Sequence, residues 1–328
     1  MKEEIISLLK ENENSFISGE KISSSLGVTR AAIWKHIKAI REDGYEIESV
    51  SRKGYRLISS PDLLSLEEIK PSLTTKLIGK DIKYLDSIDS TNNEAKRLAS
   101  EGTPEGTIVI SEEQISGRGR LGRNWVSLKY KGIWMSIILR PDIEPMYVPE
   151  ITQIAAAAVC KVTRELGIET YIKWSNDIIL NYKKVCGILT EMSGEINKVN
   201  YVVVGIGMNV NIEEDEFPEE VKSTATSLKI EQGVSIRRKE LVAKILNKFE
   251  ELYEEFITEN SIKTSIEICR RYSILIGKNI RIINRGNETI AEAIGLSDEG
   301  KLIVRYENGK VEEIISGEVS VRGLHGYV

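Results

Sequence analysis

Gly117-Arg118-Gly119-Arg120-Leu121-Gly122-Arg123-Asn124-Trp125 alternates three glycines with three arginines and closes on a tryptophan. Glycine frees the backbone for positive φ and for close approach to a ligand. Each arginine adds a permanent charge and a planar fork of donors suited to carboxylate or phosphate. Together they predict a loop that orders around an anion. The spacing Gly117-x-Gly119-x-x-Gly122 also matches the dinucleotide-binding fingerprint. That fingerprint needs a strand before it, a closely packed helix after it and an acidic residue about 20 positions on. Thr107-Ile108-Val109-Ile110 supplies the strand. Downstream, however, come a turn at 128–132 and then Ile133-Trp134-Met135-Ser136-Ile137-Ile138-Leu139 before Pro141. This β-branched apolar run reads as a strand and not a helix, so the fingerprint fails on context. On these nine residues alone, a solvated basic loop or an Arg-Gly segment touching nucleic acid stays open.

The rest of the chain sets the bounds. Its 328 residues suggest two or three domains of about 100–200 residues each. With 41% hydrophobic and 29% charged residues there is material for a sizeable core. No apolar run approaches the ~18 residues of a membrane span. The start, Met1-Lys2-Glu3-Glu4-Ile5-Ile6, lacks the apolar core of a signal peptide. Cys160, Cys186 and Cys269 are few and scattered, which suits a reducing cytoplasm and argues against a disulfide framework or zinc site. His36 and His325 are too few for a histidine metal centre or a serine–histidine–aspartate triad. The net charge is −5, yet residues 1–60 hold 10 basic and 9 acidic groups, so an acidic body carries a near-neutral head.

Residues 1–62 parse as a DNA-binding module. Ile5, Ile6, Leu8 and Leu9 form the apolar side of a first helix, broken by Glu11-Asn12-Glu13-Asn14. Ser18 caps a second helix that Gly27 ends, and Thr29 caps a third in which Ile33, Ile37 and Ile40 share one face. A tight turn between two helices is the helix-turn-helix signature. Strands at 45–50 and 54–58 around Ser51-Arg52-Lys53-Gly54 make a wing with a basic tip. The third helix is expected in a major groove, with Thr29, Arg30, Lys35 and Lys38 outward and Arg52 and Lys53 on phosphates. The competing reading is a helical interaction domain whose lysines are merely solvated.

After Ser59-Ser60-Pro61-Asp62 the pattern changes, and from about residue 82 strands and helices alternate. Ser90 or Thr91 can cap a helix to about Ser100, and 149–167 form an alanine-rich helix suited to packing on a sheet. Strands are expected at 171–174, 178–180, 184–191 and 201–207, and an amphipathic helix at 236–259. From about 273 short strands and turns suggest a small β-barrel-like cap.

These stretches closely resemble the biotin–protein ligases over essentially the whole chain. The segments that carry the resemblance are the 117–125 loop, Lys173-Trp174-Ser175-Asn176-Asp177, Lys184-Val185-Cys186-Gly187-Ile188-Leu189 and Gly205-Ile206-Gly207-Met208-Asn209. The head makes the likeness one to the bifunctional type, which also represses biotin operon transcription. The family has proline where Ser175 stands, and serine loosens that turn. The related lipoate ligases carry a Ser-Gly-Gly-Gly motif absent here, which favours biotin. The resemblance implies an α+β multi-domain chain: a winged helix-turn-helix (1–62), an α/β ligase domain with a mixed sheet (63–272) and an SH3-like β-barrel (273–328). It implies ATP, Mg²⁺ and biotin as cofactor and substrates. Its implied partners are a biotin carboxyl carrier protein and operator DNA, with no membrane association and a homodimer formed on ligand binding.

The resemblance also implies roles. Ser90, Thr91, Asn92 and Gln114 fix the biotin ring system, with Ser90 equally readable as a helix cap. Arg118 and Arg120 hold carboxylate and phosphate, and Gly117 and Gly119 permit close approach. Lys184 reaches the α-phosphate and Asp177 orients it or an incoming amine. Gly205 and Gly207 let a strand end approach the ligand. Arg120, Arg123, Trp125, Asn176 and Asn209 serve ATP, with Trp125 readable also as packing on the closed loop or as a core tryptophan and Asn209 the candidate contact to phosphate or Mg²⁺; no direct metal ligand is assigned. Ordering of the site is expected to alter a dimer surface at the sheet edge holding Trp134 to Leu139. Two alternatives remain: a ligand-sensing transcription factor without ligase activity, and a ligase whose head only binds proteins.

Overall fold

The computed structural model describes residues 1–12, 15–284, 287–315, 319–324 and 327–328, so Glu13, Asn14 and His325 lie outside the described residues. The chain forms two compact units, Met1–Pro71 and Ser72–Val328.

The first unit has helices α1 (Lys2–Glu11), α2 (Gly19–Leu26) and α3 (Arg30–Glu42), strands β1 (Glu46–Val50) and β2 (Gly54–Ser59), and a short α4 (Leu66–Ile69). The caps are those the sequence dictates. Ser18 accepts from the Lys21 N–H and Thr29 from the Ala32 N–H, each satisfying an orphan donor of a helix start. Gly27 takes the left-handed conformation, φ 65°, that ends α2. Ile5, Ile22, Ile33, Ile37 and Ile40 meet in one core. β1 and β2 pair as an antiparallel wing, and Tyr55 also exchanges both backbone bonds with Ile17. At Gly54, φ 113°, a Cβ would meet the Ile17 carbonyl oxygen at 2.1 Å, so only glycine lets these backbones touch. Residues 63–71 pack with this unit: Glu68 is buried and receives the Tyr45 hydroxyl and the Lys10 ammonium, each at 2.7 Å.

The second unit is built on β3 (Ile82–Leu85), β4 (Ile108–Ser111), β5 (Gly132–Leu139), β6 (Tyr171–Lys173), β7 (Asp177–Leu180), β8 (Lys183–Glu195) and β9 (Lys198–Asn209). They form a mixed sheet in the order β3-β4-β5-β9-β8-β7-β6, with β3 and β4 parallel and the remaining pairs antiparallel. Helix α5 (Thr91–Ser100) lays Ala95 and Ala99 on one face, against Val109, Ile138 and Val203. Helix α6 (Val148–Glu165), with Ala155 to Ala158 fully buried, covers the other face, where Thr152 bonds Thr190 of β8. Short helices α7 (Glu219–Lys222) and α8 (Leu228–Gln232) come next, then α9 (Arg238–Glu259) and α10 (Lys263–Arg271), both against α6. Arg238 is fully buried at the start of α9, paired with Glu112 at 2.6 Å.

Strand β5 corrects one expectation. Trp134 to Leu139 do not form a sheet edge: β5 sits between β4 and β9, bonded on both sides, with every residue buried. A strand buried on two faces reads as a continuous apolar run, which is how this one reads. The outer strands of this sheet are β3 and β6. Beyond α10, β10 (Asn279–Asn284), β11 (Asn287–Leu296), β12 (Leu302–Tyr306), β13 (Val311–Ile314) and β14 (Val319–Gly323) make an antiparallel sheet in the order β13-β12-β11-β10-β14. It is tied to the larger sheet by the Trp174 indole, which donates to the Gly300 carbonyl at 2.8 Å. No helix among the described residues is long and apolar enough to cross a membrane.

Candidate functional site

Register creates a trough on one face of the large sheet. Gly205 and Gly207 lie two apart on β9 and therefore point to the same face. Their partners across the ladders are Ser136 and Trp134 on β5, and Leu189 and Gly187 on β8. The space the three glycines leave is filled by side chains from elsewhere. A Cβ at Gly205 would meet Asn92 Oδ1 at 2.1 Å. One at Gly207 would meet Trp125 Nε1 at 2.6 Å, and one at Gly187 would meet Lys184 Nζ at 3.0 Å. A cavity of about 780 Å³ opens above this trough.

One end of the cavity is a polar network at the start of α5. Gln114 Oε1 accepts from the Thr91 N–H at 2.9 Å and the Thr91 hydroxyl at 3.1 Å, while its amide donates to Ser127 Oγ at 2.8 Å. The Ser136 hydroxyl donates to Asn92 Oδ1 at 2.6 Å and lies 2.8 Å from Thr91 Oγ1. Asn92 Nδ2 donates to Leu189 O and to Glu191. Ser90 stands at the N-cap position of α5 but makes no capping side-chain bond, and it lines the cavity. Ser136 was not singled out by sequence reasoning, although a lone serine inside a buried apolar strand was a usable signal.

At the other end are charges. Lys184 pairs with Asp177 at 2.6 Å and lies 5.0 Å from the Trp125 ring centroid. The second Asp177 oxygen accepts from the Tyr327 hydroxyl. Burial alone would raise the Asp177 carboxyl, but Lys184, Tyr327 and Lys173 together hold it below its ordinary value. Lys173 is buried, and desolvation pulls its amine down to about 7; Asp177 opposes this, and Arg322, Lys184 and Arg123 add to it. Arg120 donates to Ser175 Oγ and Asn176 Oδ1, both at 3.0 Å, and burial lowers its guanidinium. Lys173, Arg322 and Tyr327 were not among the expected site residues. Lys173 at least stood beside the motif, whereas nothing local marked Tyr327.

The glycine–arginine loop folds back on itself. Trp125 N–H donates to Gly117 O at 2.9 Å and Gly119 N–H to Arg123 O at 2.7 Å. Positive φ falls on Leu121 (57°) and Gly122 (71°), not on Gly117 or Gly119. Gly117 is needed because a Cβ there would meet Trp125 O at 2.4 Å; Gly119 has no such neighbour. Arg118 and Arg123 stand exposed on the loop and line the cavity. Trp125 Nε1 is buried without a hydrogen-bond partner among the described residues. The cavity thus gathers Ser90, Thr91, Asn92, Gln114, Arg118, Gly119, Arg120, Arg123, Trp125, Asn176, Asp177, Lys184, Gly205, Gly207 and Asn209, while Gly117 does not line it. Asn209 is buried, its amide donating to Thr226 O at 3.0 Å. The peptide between Trp174 and Ser175 is cis. The three cysteines are buried, and burial pushes each thiol up, Cys160 to about 11.

In the head, the outer face of α3 exposes Ala31, Trp34, Lys35 and Lys38. Trp34 is 60% exposed, and sequence reasoning had passed over it. Arg30 is paired with Glu20 at 2.7 Å, and Thr29 spends its hydroxyl on the helix cap. Arg52 and Lys53 occupy the exposed wing tip, with Lys53 5.8 Å from the Phe16 ring centroid.

Comparison with known proteins agrees with this geometry. Residues 84–209 match the biotin/lipoate A/B protein ligase family, residues 2–56 an HTH domain and residues 275–322 the biotin protein ligase C-terminal domain. The bifunctional ligase/repressor BirA of Bacillus subtilis is 42% identical over 98% of both chains. That of Escherichia coli is 29% identical over 97% of this chain and 96% of its own. Among solved structures, the biotin protein ligase from Aquifex aeolicus in complex with biotin and ATP is similar, with 32% identity and a TM-score of 0.65, over 74% of this chain and 99% of that one. With three matched regions and a head-to-tail relative at this identity, the chain belongs to the BirA family of bifunctional ligase/repressors.

Proposed function

We propose that the chain is an ATP-dependent biotin–protein ligase that also represses transcription through its winged head. The observation that carries the reading is one cavity with a neutral hydrogen-bonding end at Thr91, Asn92 and Gln114 and a cationic end at Lys184, Arg120, Arg118 and Arg123. That polarity suits a molecule with an uncharged polar ring at one end and a carboxylate at the other, beside a triphosphate.

In the first step a carboxylate oxygen of biotin bonds the α-phosphorus of ATP, and the bond to the pyrophosphate oxygen breaks. The charge that builds on phosphorus needs fixed cations, and Lys184 is held for this by Asp177. Arg120 is held by Ser175 and Asn176 and lines the cavity. In the second step a lysine amine of the acceptor attacks the mixed anhydride, an amide forms, and AMP and a proton leave. No enzyme nucleophile is needed, in keeping with three inert buried thiols. Mg²⁺ fits as an ion carried by ATP phosphates. Among the described residues the sole carboxylate lining the cavity, Asp177, is engaged with Lys184 and Tyr327. Asn209 Oδ1 is the neutral oxygen we assign toward phosphate or metal.

The acceptor we assign is the biotin carboxyl carrier protein of acetyl-CoA carboxylase, and the setting the cytoplasm. The adenylate acts as co-repressor by favouring a homodimer that binds operator DNA. Since β5 is interior, the dimer surface must lie elsewhere. Biotin-dependent exchange of pyrophosphate into ATP tests the ligase reading; exchange with lipoate instead, or none, would sink it. Sedimentation with and without biotinyl-5′-AMP tests the coupling, which fails if the monomer–dimer balance does not move.

A further inference from the structure

We propose that Tyr327 is a positioning residue for the ligase reaction, holding Asp177 through its hydroxyl and Lys173 through its ring. The inference rests on the ligase reading above and adds to it a residue from the far end of the chain. Tyr327 lies 150 positions from Asp177, beyond the last strand, yet its hydroxyl donates to Asp177 Oδ2 inside the cavity. Its ring centroid is 3.5 Å from Lys173 Nζ and 4.8 Å from the Arg322 guanidinium carbon. The segment is seated: at Gly323 a Cβ would meet the Val328 backbone at 2.2 Å, so Val328 packs against the end of β14 where only glycine leaves room.

The arrangement around Asp177 explains what this achieves. One oxygen takes Lys184 at 2.6 Å and the other takes Tyr327, so the carboxylate cannot turn toward Lys173. Each lysine meanwhile sits on an aromatic face, Lys184 on Trp125 and Lys173 on Tyr327. Two lysine–aromatic pairs therefore bracket one buried carboxylate. Without the Tyr327 hydroxyl, Asp177 Oδ2 becomes a buried acceptor seeking a donor, and Lys173 on the neighbouring strand is the cation at hand. Lys184 would then share its anchor and lose its aim at the substrate phosphate.

The test uses the full chain, wild type against Tyr327→Phe and Tyr327→Ala, with Tyr306→Phe in the C-terminal sheet as a control. Biotin-dependent pyrophosphate–ATP exchange gives kcat and the KM for ATP and biotin; thermal melting gives stability. Loss of a hydrogen bond to a buried charged group predicts that Tyr327→Phe lowers kcat about tenfold, with both KM values within about twofold and a melting temperature only about 2–5 °C lower, so that the fold is intact at the assay temperature. Tyr327→Ala, which also uncovers Lys173, should fall about tenfold further and raise the KM for ATP. Wild-type kcat in Tyr327→Phe overturns the proposal. So does an activity loss that tracks a lowered melting temperature equally in both variants. Absence of exchange in the wild type would instead count against the ligase reading itself.

Discussion

At the neutral end of the cavity nearly every polar group already has a protein partner: Thr91, Asn92, Gln114, Ser127 and Ser136 satisfy one another. On α3 of the head, Lys35 and Lys38 stand in water beside an exposed Trp34. The first arrangement fixes geometry before a ligand arrives, at the cost of making each group hard to replace. The second leaves charge free to neutralise phosphates along a groove, where the gain comes from released counterions and tolerates local change. Substitutions in the cavity should therefore be steep and specific, and those in the head shallow and graded.

The sharpest break is Lys184→Gln. On the proposed mechanism it removes the cation that meets developing phosphate charge, and it leaves Asp177 buried without that partner. Exchange activity should fall about 10²–10³-fold, while the salt slope of DNA binding stays as in the wild type. A smaller loss in exchange would show that Arg120 can stand in. Next is Gly207→Val, whose Cβ would strike Trp125 Nε1. Overpacking there should cost about 1–3 kcal/mol in a urea melt and lower exchange, since Trp125 cannot stay on the sheet.

A third test uses pH. The amine of Lys173 sits at about 7 in the folded chain, below its ordinary 10.5. Between those values the unfolded chain binds more protons, so this group makes stability rise with pH, and at acidic pH the ion must be buried charged. Lys173→Met should flatten that rise and gain most at about pH 6 relative to about pH 9, read from urea midpoints. An unchanged pH dependence would mean that Lys173 is better solvated than its burial implies. In the head, the double change of Lys35→Ala and Lys38→Ala should reduce the log–log salt slope of DNA binding by about 0.9 for each phosphate no longer neutralised, with melting temperature unaltered. Smallest of all, Glu20→Gln releases Arg30 from an exposed pair worth about 0–1 kcal/mol. Filter binding should show about twofold tighter DNA binding, and weaker binding would mean that Glu20 positions Arg30 usefully.

How far the sequence could be read differs between the same two regions. The head was legible because its determinants are local: Ser18 and Thr29 cap three residues away, and Ile33, Ile37 and Ile40 repeat on one helix face. The cavity was legible mainly through the family resemblance, carried by motifs such as 117–125 and 173–177 that pack several lining residues together. Ser136, Lys173 and Tyr327 act through partners 44 to 154 positions off, and no periodicity reports such contacts. The glycines of β9 were expected to admit a ligand; they line the cavity, and the space a Cβ would take there is occupied by Asn92 and Trp125. Strand β5 looked like an edge because a run of apolar residues says that a strand is covered, not what lies on either side of it.

The mutual saturation of Thr91, Asn92, Gln114 and Ser136 also bears on what the cavity rejects. A molecule entering there must break bonds these groups make with each other and give equivalent ones in return. One lacking a donor or acceptor at the right place leaves a buried group orphaned, at about 1–3 kcal/mol each. Discrimination of this kind scales with the number of orphans and not with ligand size, so an analogue missing two polar atoms should be excluded about a hundredfold or more.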